Sequence, residues 1–582
     1  MAAALRRRKL ILPQVLPARA RGPGLARLMP ILTVGVLTVP LVCGLAGTVL
    51  PAFGYLPALG GTGFSLDAFA MLAEVPGLWR SVWLSLTTGL VTTFLALAIV
   101  FLFVAGWAGT RTFRRLQHFI SPLLAVPHAA AAFGLAFLIA PSGLIMRAIS
   151  PWPSGLTRPP DLLILNDPYG IAMMAGLVAK EVPFLFLVAL AALPQIDERR
   201  TRMLTASLGY RPVAGFLYAA WPRLYRQIRL AVYAVVAYAS SVVDVAIILG
   251  PTLPPTLPVR LLEWSNDPDL STRFLASAGA LLQLATTAGA LLIWYGGERL
   301  GAAIVGRLRA RGQRSVGDRA LRPLGALLLV ISALSIFLGI AALALWSVSG
   351  LWQFPDLWPS TLRTEGWTQT LPRLASPLRT TLIAGLVSTV IALILVIGCL
   401  EQETRSGRGG GQKALLALYL PLIVPQISFV FGLQVLFVSF GLDGRMGTLI
   451  LVHLVFVLPY VFLSLADPWR SLDRRYDVIG AALGRKRSSV LWKIRLPMLL
   501  RAILTAAAVG FAVSVGQYLP TVLIGAGRLS TIATEAVALS SGGNRRIIGI
   551  YALVQTVLPF LAFAIASLLP ALLWRNRRAL RV

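Results

Sequence analysis

The chain has 582 residues, is 57% hydrophobic and 13% charged, and carries a formal net charge of +31. Soluble globular domains are roughly 45–50% apolar and about 25% charged, so this composition excludes one, and it excludes disorder too. The charge alone would suit a nucleic-acid binder, but only if it sits on exposed patches rather than between apolar runs.

It sits between apolar runs. A helix needs roughly 20 apolar residues to cross a bilayer core of about 30 Å. Twelve such spans are predicted in chain order: Met29–Phe53, Ser81–Thr110, Phe119–Met146, Tyr169–Leu193, Ile228–Gly250, Phe274–Gly297, Pro323–Trp346, Leu378–Leu400, Ala414–Phe440, Met446–Ala466, Ile503–Gly525 and Ile547–Trp574. The first is too long for a signal-peptide core, and its basic leader (Arg6, Arg7, Arg8, Lys9) lies well upstream, so it reads as a retained anchor. The expected fold is an all-α polytopic membrane protein.

The segment before Met29, the loops near 111–118, 195–229, 298–322, 401–413 and 467–502, and the tail after Trp574 hold 40 of the 53 basic residues. Twelve more fall on the opposite face, and Lys180 lies inside a span. Positive residues mark the cytoplasmic side, which puts both termini there.

The two halves resemble each other. Pro127 through Phe133-Gly134-Leu135 matches Pro425 through Phe431-Gly432-Leu433. Val182-Pro183-Phe184 matches Leu458-Pro459-Tyr460, and Ala206 to Gly209 matches Ala481 to Gly484. Thirteen residues beyond each of those glycines stands a proline, Pro222 and Pro497. The offset falls from 298 to about 275, so some twenty extra residues belong to the outer loop holding Pro151, Trp152, Pro153, Pro159 and Pro160. The organisation is a basic N-terminus (1–28), a first six-span half (29–297), a basic linker (298–322), a parallel second half (323–574) and a tail (575–582). Such a repeat implies a solute path where the halves meet.

After the fourth span of each half comes a long basic loop. In the second copy a helix around Tyr476–Leu483 is stopped by Gly484, Val490, Leu491 and Ile494 form an apolar stripe, and Pro497 can open the next helix. One such loop could simply lie on anionic lipid; two with the same glycine-to-proline spacing read as a duplicated docking element.

These loops resemble the E-A-A-x3-G-x9-I-x-L-P loop of ABC importer permeases. Gly484, Ile494, Leu496 and Pro497 match it in register; Gly209 and Pro222 match it in the first copy, where Ala219 and Trp221 replace the isoleucine and leucine. Neither copy has the E-A-A element: Met203-Leu204-Thr205 and Val478-Ile479-Gly480 stand there. The likeness runs from about Trp79 to Trp574 and is strongest to the fused permeases of thiamine, iron and polyamine-type importers, especially an uncharacterised one of a thiamine-like system. It implies a bacterial inner-membrane subunit moving a small solute by alternating access. It also implies two cytoplasmic ATP-binding-cassette subunits as partners, seated on the two loops, and a solute-binding protein outside.

No enzyme chemistry is visible. There is no Gly-Lys dipeptide and so no phosphate loop, and Gly407 to Lys413 lacks its ending. Cofactors and metal sites are not expected: two cysteines (Cys43, Cys399) and three scattered histidines (His118, His128, His453) offer no cluster, and the histidines read as anchoring or packing residues. Charges at bilayer depth are Lys180, Glu181 and Asp244, opposite apolar Phe456, Val457 and Leu519 in the second half. Such charges are expensive and mark a solute path or a structural pair of Lys180 with Asp244 or Glu181. In an alternative class, an ion-coupled secondary transporter, they would be the coupling set; a non-transporting scaffold is the other alternative.

Overall fold

In the computed structural model the described residues are 27–407, 411–473 and 475–573, with the side chains of 412 and 413 not described. Most of the expected basic N-terminus, Trp574 and the tail lie outside them. The first half consists of α1 (Met29–Ala52), α2 (Leu78–Trp107), α3 (His128–Ile139), α4 (Ile171–Ala192), α5 (Glu198–Ser207), α6 (Trp221–Ser241), α7 (Asp244–Leu249) and α8 (Thr272–Ala310). The second consists of α9 (Asp318–Ser347), α10 (Glu365–Ser406), α11 (Gln412–Ile423), α12 (Gln426–Ser439), α13 (Met446–Ser471), α14 (Arg475–Ala482), α15 (Leu500–Val515), α16 (Leu519–Gly525) and α17 (Arg545–Leu573). The described residues form no strand, only two isolated bridges.

The expected all-α membrane architecture is present, but twelve uniform spans are not. Among the described residues nine helices are long and apolar enough to cross a bilayer, eleven if each sharply bent pair counts once. Helix α6 is not among them; Arg223, Arg226 and Arg229 occupy its first half. Prolines divide the third span of each half. In the second, α11 meets α12 at 87° beside Pro425; in the first, α3 starts after Pro127, preceded by a helix at Arg111–Ile120 and a short 3-10 turn. Proline has no N–H to donate and disfavours helical geometry in the residue before it. The fifth spans are broken as well, at Val242–Val243 and at Gly516–Tyr518. The linker expected over 298–322 is mostly helix, because α8 runs on to Ala310 and leaves only 311–317 irregular. The extra outer residues of the first half fall between Ile149 and Gly170, against only 440–445 in the second.

The first helix of each half packs against the other half. Helix α1 lies on α12 and α10, and α9 lies on α2, α3 and α4. Glycines make both crossings possible. A Cβ on Gly432 of α12 would overlap the Gly44 carbonyl of α1, and one on Gly47 would overlap the Gly432 carbonyl. In the reciprocal crossing, Gly134 of α3 meets Gly339 of α9, with an added Cβ 2.9 Å from the facing backbone. Small residues allow this approach where lipid supplies no hydrophobic drive between helices. Thr48 Oγ1 donates to the Ser428 carbonyl at 2.7 Å, and Ser332 Oγ to the Ala179 carbonyl at 3.1 Å, across the same two seams.

Gly432→Ala is therefore expected to destabilise by about 1–3 kcal/mol, the usual range for overpacking. Gly447, with nothing within 4 Å of an added Cβ, is the control. Melting of the detergent-purified variants by size-exclusion chromatography checks this; equal midpoints for Gly432→Ala and Gly447→Ala would refute the crossing's importance.

Candidate functional site

Where the broken helices meet, the halves line a partly open cavity of about 430 Å³. Equivalent positions from both halves line it. The α6–α7 break contributes Ser241 to Asp244, and the α15–α16 break contributes Gly516 to Leu519. The turns before α3 and α12 bring His128 and Gln426; α4 and α13 bring Lys180, Glu181, Phe456 and Tyr460. Broken helices at membrane depth are tolerated where they line a cavity, since freed backbone groups need partners there.

The three intramembrane charges converge on this cavity without pairing among themselves. Lys180, 4% exposed, donates to the carbonyls of Leu123 and Leu124 at 3.0 and 3.1 Å. It thereby ties α4 to the turn before α3. Glu181, also 4% exposed, meets His128 Nε2 at 3.1 Å. The expected pairing of Lys180 with Asp244 or Glu181 does not occur; neighbours on a helix diverge by about 100°, and backbone carbonyls lie within the lysine's reach. Asp244 is 7% exposed, begins α7, and forms no salt bridge among the described residues.

His128, read from sequence as a hydrogen-bonded packing residue, is hydrogen-bonded to Glu181 and lines the cavity as well. Its ring also lies 4.8 Å from that of Tyr238. His453 is a satisfied core residue, held by Ser514 at 2.7 Å and Thr521 at 3.1 Å. Tyr238, Tyr419 and Tyr518 line the cavity and were not singled out from sequence; no motif carries them. Among the described residues no His, Cys, Asp or Glu group is arranged to hold a metal.

The two loops share one backbone design. Gly209 and Gly484 adopt φ of +78° and +67°, which glycine accepts at little cost. Both close the same helix end. Gly209 N–H donates to Ala206 and Tyr210 N–H to Thr205, each at 3.0 Å; Gly484 N–H donates to Ala481 at 3.0 Å and Arg485 N–H to Gly480 at 2.9 Å. This is a Schellman cap. Each loop then makes a five-residue π-helical turn, Phe216–Ala220 and Leu491–Arg495, directly before Trp221-Pro222 and Leu496-Pro497. A wider turn relieves the clash between a proline ring and the carbonyl four residues back. Trp221 packs edge-on against Phe101 at 4.9 Å, Leu496 joins the core beside α13, Ile494 is half-buried, and both prolines are exposed.

At the first two positions of the missing E-A-A element and directly before each capping glycine, both loops expose apolar side chains. Met203, Leu204 and Leu208 are 56%, 56% and 63% exposed; their equivalents Val478, Ile479 and Leu483 are 67%, 55% and 72% exposed.

The anchors of the loops differ. In the second, Arg495 is buried, donates from Nε to Asp477 at 3.0 Å and from Nη1 to Glu401 of α10 at 3.1 Å, and stacks near Trp469. Ala220 and Arg202 stand where Arg495 and Asp477 do. The first loop is held instead by the junction between the halves: Asp318 Oδ1 accepts from Val213 N–H at 2.7 Å, and the Arg314 carbonyl from Arg211 N–H at 3.0 Å.

No family model matches the chain. It is 31% identical over 554 residues to the inner membrane ABC transporter permease protein YnjC of Escherichia coli strain K12, covering 94% of this chain and 97% of that one. Over 193 residues it is 25% identical to the molybdenum transport system permease protein ModB of Mycobacterium tuberculosis, covering 31% of this chain and 70% of ModB. Over 138 residues it is 28% identical to the putrescine transport system permease protein PotI of Escherichia coli strain K12, covering 22% of this chain and 46% of PotI. The full-length likeness to YnjC, across both halves and both loops, places the chain among the ABC transporter permeases.

Proposed function

We propose that this permease carries a small solute into the cell by alternating access between its two halves, driven by two separate ATPase subunits. The paired loops carry the reading. They repeat the same cap, the same π-turn and the same exposed apolar triplet at two places 275 residues apart. Large apolar side chains left in water on a repeated platform mark a docking surface. Gly209, Trp221, Pro222, Gly484, Ile494, Leu496 and Pro497 shape that platform, and Met203, Leu204, Leu208, Val478, Ile479 and Leu483 form its contact face. A groove meeting this face is apolar where the usual loop would present a glutamate. The loops and both termini are on the cytoplasmic side of a bacterial inner membrane, and a solute-binding protein delivers cargo on the other. The path runs through the central cavity, past Lys180, Glu181 and Asp244. Nothing in the comparisons favours the ion-coupled alternative.

With the chain co-expressed with its ATPase subunits, Leu208→Asp and Leu483→Asp are each expected to lower uptake at least tenfold and to reduce ATPase co-purification. Amounts in the membrane fraction should not change, since both side chains are exposed. Wild-type uptake in both variants would sink the docking role.

Arg495→Ala removes the cation that ties Asp477 of the loop to Glu401 of α10; Glu401 keeps Arg405 at 2.6 Å and Asp477 is partly exposed. Losing hydrogen bonds to charged groups costs roughly 1.5–3 kcal/mol. Faster hydrogen exchange in 475–482, with 198–207 unchanged, is the expected signature; equal exchange in both segments would argue against the anchor.

Ala512 faces the cavity from α15. Ala512→Trp is expected to abolish uptake while ATPase co-purification persists, and normal uptake by this variant would remove the cavity from the path.

A further inference from the structure

We propose that the central cavity receives an organic cation, with Asp244 as its counter-ion and the first half as the discriminating wall. This deepens the solute-path reading and rests on it. The relatives do not decide the matter, because their names point to molybdenum in one case and to putrescine in another.

The charge inventory of the cavity does. Its one ammonium, Lys180, is engaged by two backbone carbonyls. Glu181 has His128 as a neighbour at 3.1 Å. The Asp244 carboxylate lines the cavity 93% buried, by its 7% exposure, and no cationic side chain lies within salt-bridge distance among the described residues. The His128 ring, which acts on Asp244 electrostatically, is held by Glu181. A carboxylate removed from water without an ion-pair partner is costly, and a ligand that brings that charge recovers the interaction. An anion entering the cavity would meet two carboxylates and a lysine already in use.

The remaining lining says what kind of cation. Tyr238 and Tyr518 flank the Asp244 position from the two halves, and Tyr419 and Tyr460 continue the aromatic wall. Aromatic faces attract ammonium and quaternary nitrogen groups, most strongly where water is excluded. A bare divalent or transition-metal ion would want a cluster of carboxylate, imidazole or thiolate ligands, and among the described residues no group of three or more His, Cys, Asp or Glu is arranged to hold one. The volume of about 430 Å³ lies within the range of small-molecule sites. The wall is one-sided: Gln426, Phe456 and Leu519 occupy the second-half positions of His128, Lys180 and Asp244. The cationic group therefore binds to the first half and the rest of the solute packs against the second.

The test uses the purified full chain in lipid nanodiscs, with spermidine and tetraethylammonium as cationic probes and molybdate as the anionic one. Binding is read by equilibrium dialysis. Either cation should bind, with dissociation constants at least tenfold weaker in Asp244→Asn and restored towards wild type in Asp244→Glu; molybdate should not bind. Elution as a single folded species on size-exclusion chromatography qualifies each variant. Molybdate binding lost in Lys180→Gln, cation binding unchanged in Asp244→Asn, or no cation binding to the wild-type chain would overturn the proposal. Those results leave the solute path standing as long as Ala512→Trp blocks uptake; normal uptake by Ala512→Trp removes the path itself.

Discussion

The reciprocal helix crossing at glycine is the constraint on which the rest depends. Helix α1 can cover the second half only because Gly44, Gly47 and Gly432 let two backbones touch, and α9 can cover the first only because Gly134 and Gly339 do the same. Hydroxyl-to-carbonyl bonds from Thr48 and Ser332 then satisfy polar groups at each seam. Each half is thereby clasped by the other's first helix, and the broken fifth helices are held facing one another across a shared space. A cavity with matched positions on both walls is the geometric result.

On that symmetric frame the chemistry is asymmetric. The same break in the fifth helix presents Asp244 on one side and Leu519 on the other, and the same post-proline position presents His128 and Gln426. Burying charge at membrane depth is expensive, so each charge must be compensated. Lys180 and Glu181 are compensated by protein, through carbonyls and a histidine, and that arrangement also fixes α4 to the turn before α3. A duplicated scaffold lets one copy keep apolar packing while the other takes on this burden.

Much of this was legible in the sequence, for physical reasons that can be named. The apolar runs mark where the helices lie, because lipid accepts little else. The Phe-Gly-Leu repeat at 133–135 and 431–433 marked the halves, though not that its glycine is the crossing point with the swapped helix. That contact joins residues hundreds of positions apart, as Gly44 to Gly432, and leaves no local pattern. Gly209 and Gly484 were readable as helix stops because a left-handed cap has a residue preference. The π-turns were not, since no residue type encodes them apart from the proline that follows. The convergence of Lys180, Glu181 and Asp244 could be suspected from their cost. That the lysine would reach backbone carbonyls rather than an acid depended on where the turn before α3 sits, and so on Pro127.

The loops show the same separation between backbone and side chain. Cap, π-turn and exposed apolar triplet are preserved in both, so the two loops present equivalent exposed surfaces. The anchors are not. The second loop is tied by Arg495 to Glu401, at the end of a helix of its own half; the first is tied by Asp318 and Arg314 to the junction that joins the halves. A displacement of the second loop acts directly on α10. A displacement of the first acts on α9, which crosses to cover α2, α3 and α4. Since α4 carries Lys180 and Glu181, the first loop reaches the charged wall of the cavity through the swapped helix as well as through its own span. Fusing the halves into one chain makes that route possible, because the junction itself supplies the anchoring groups.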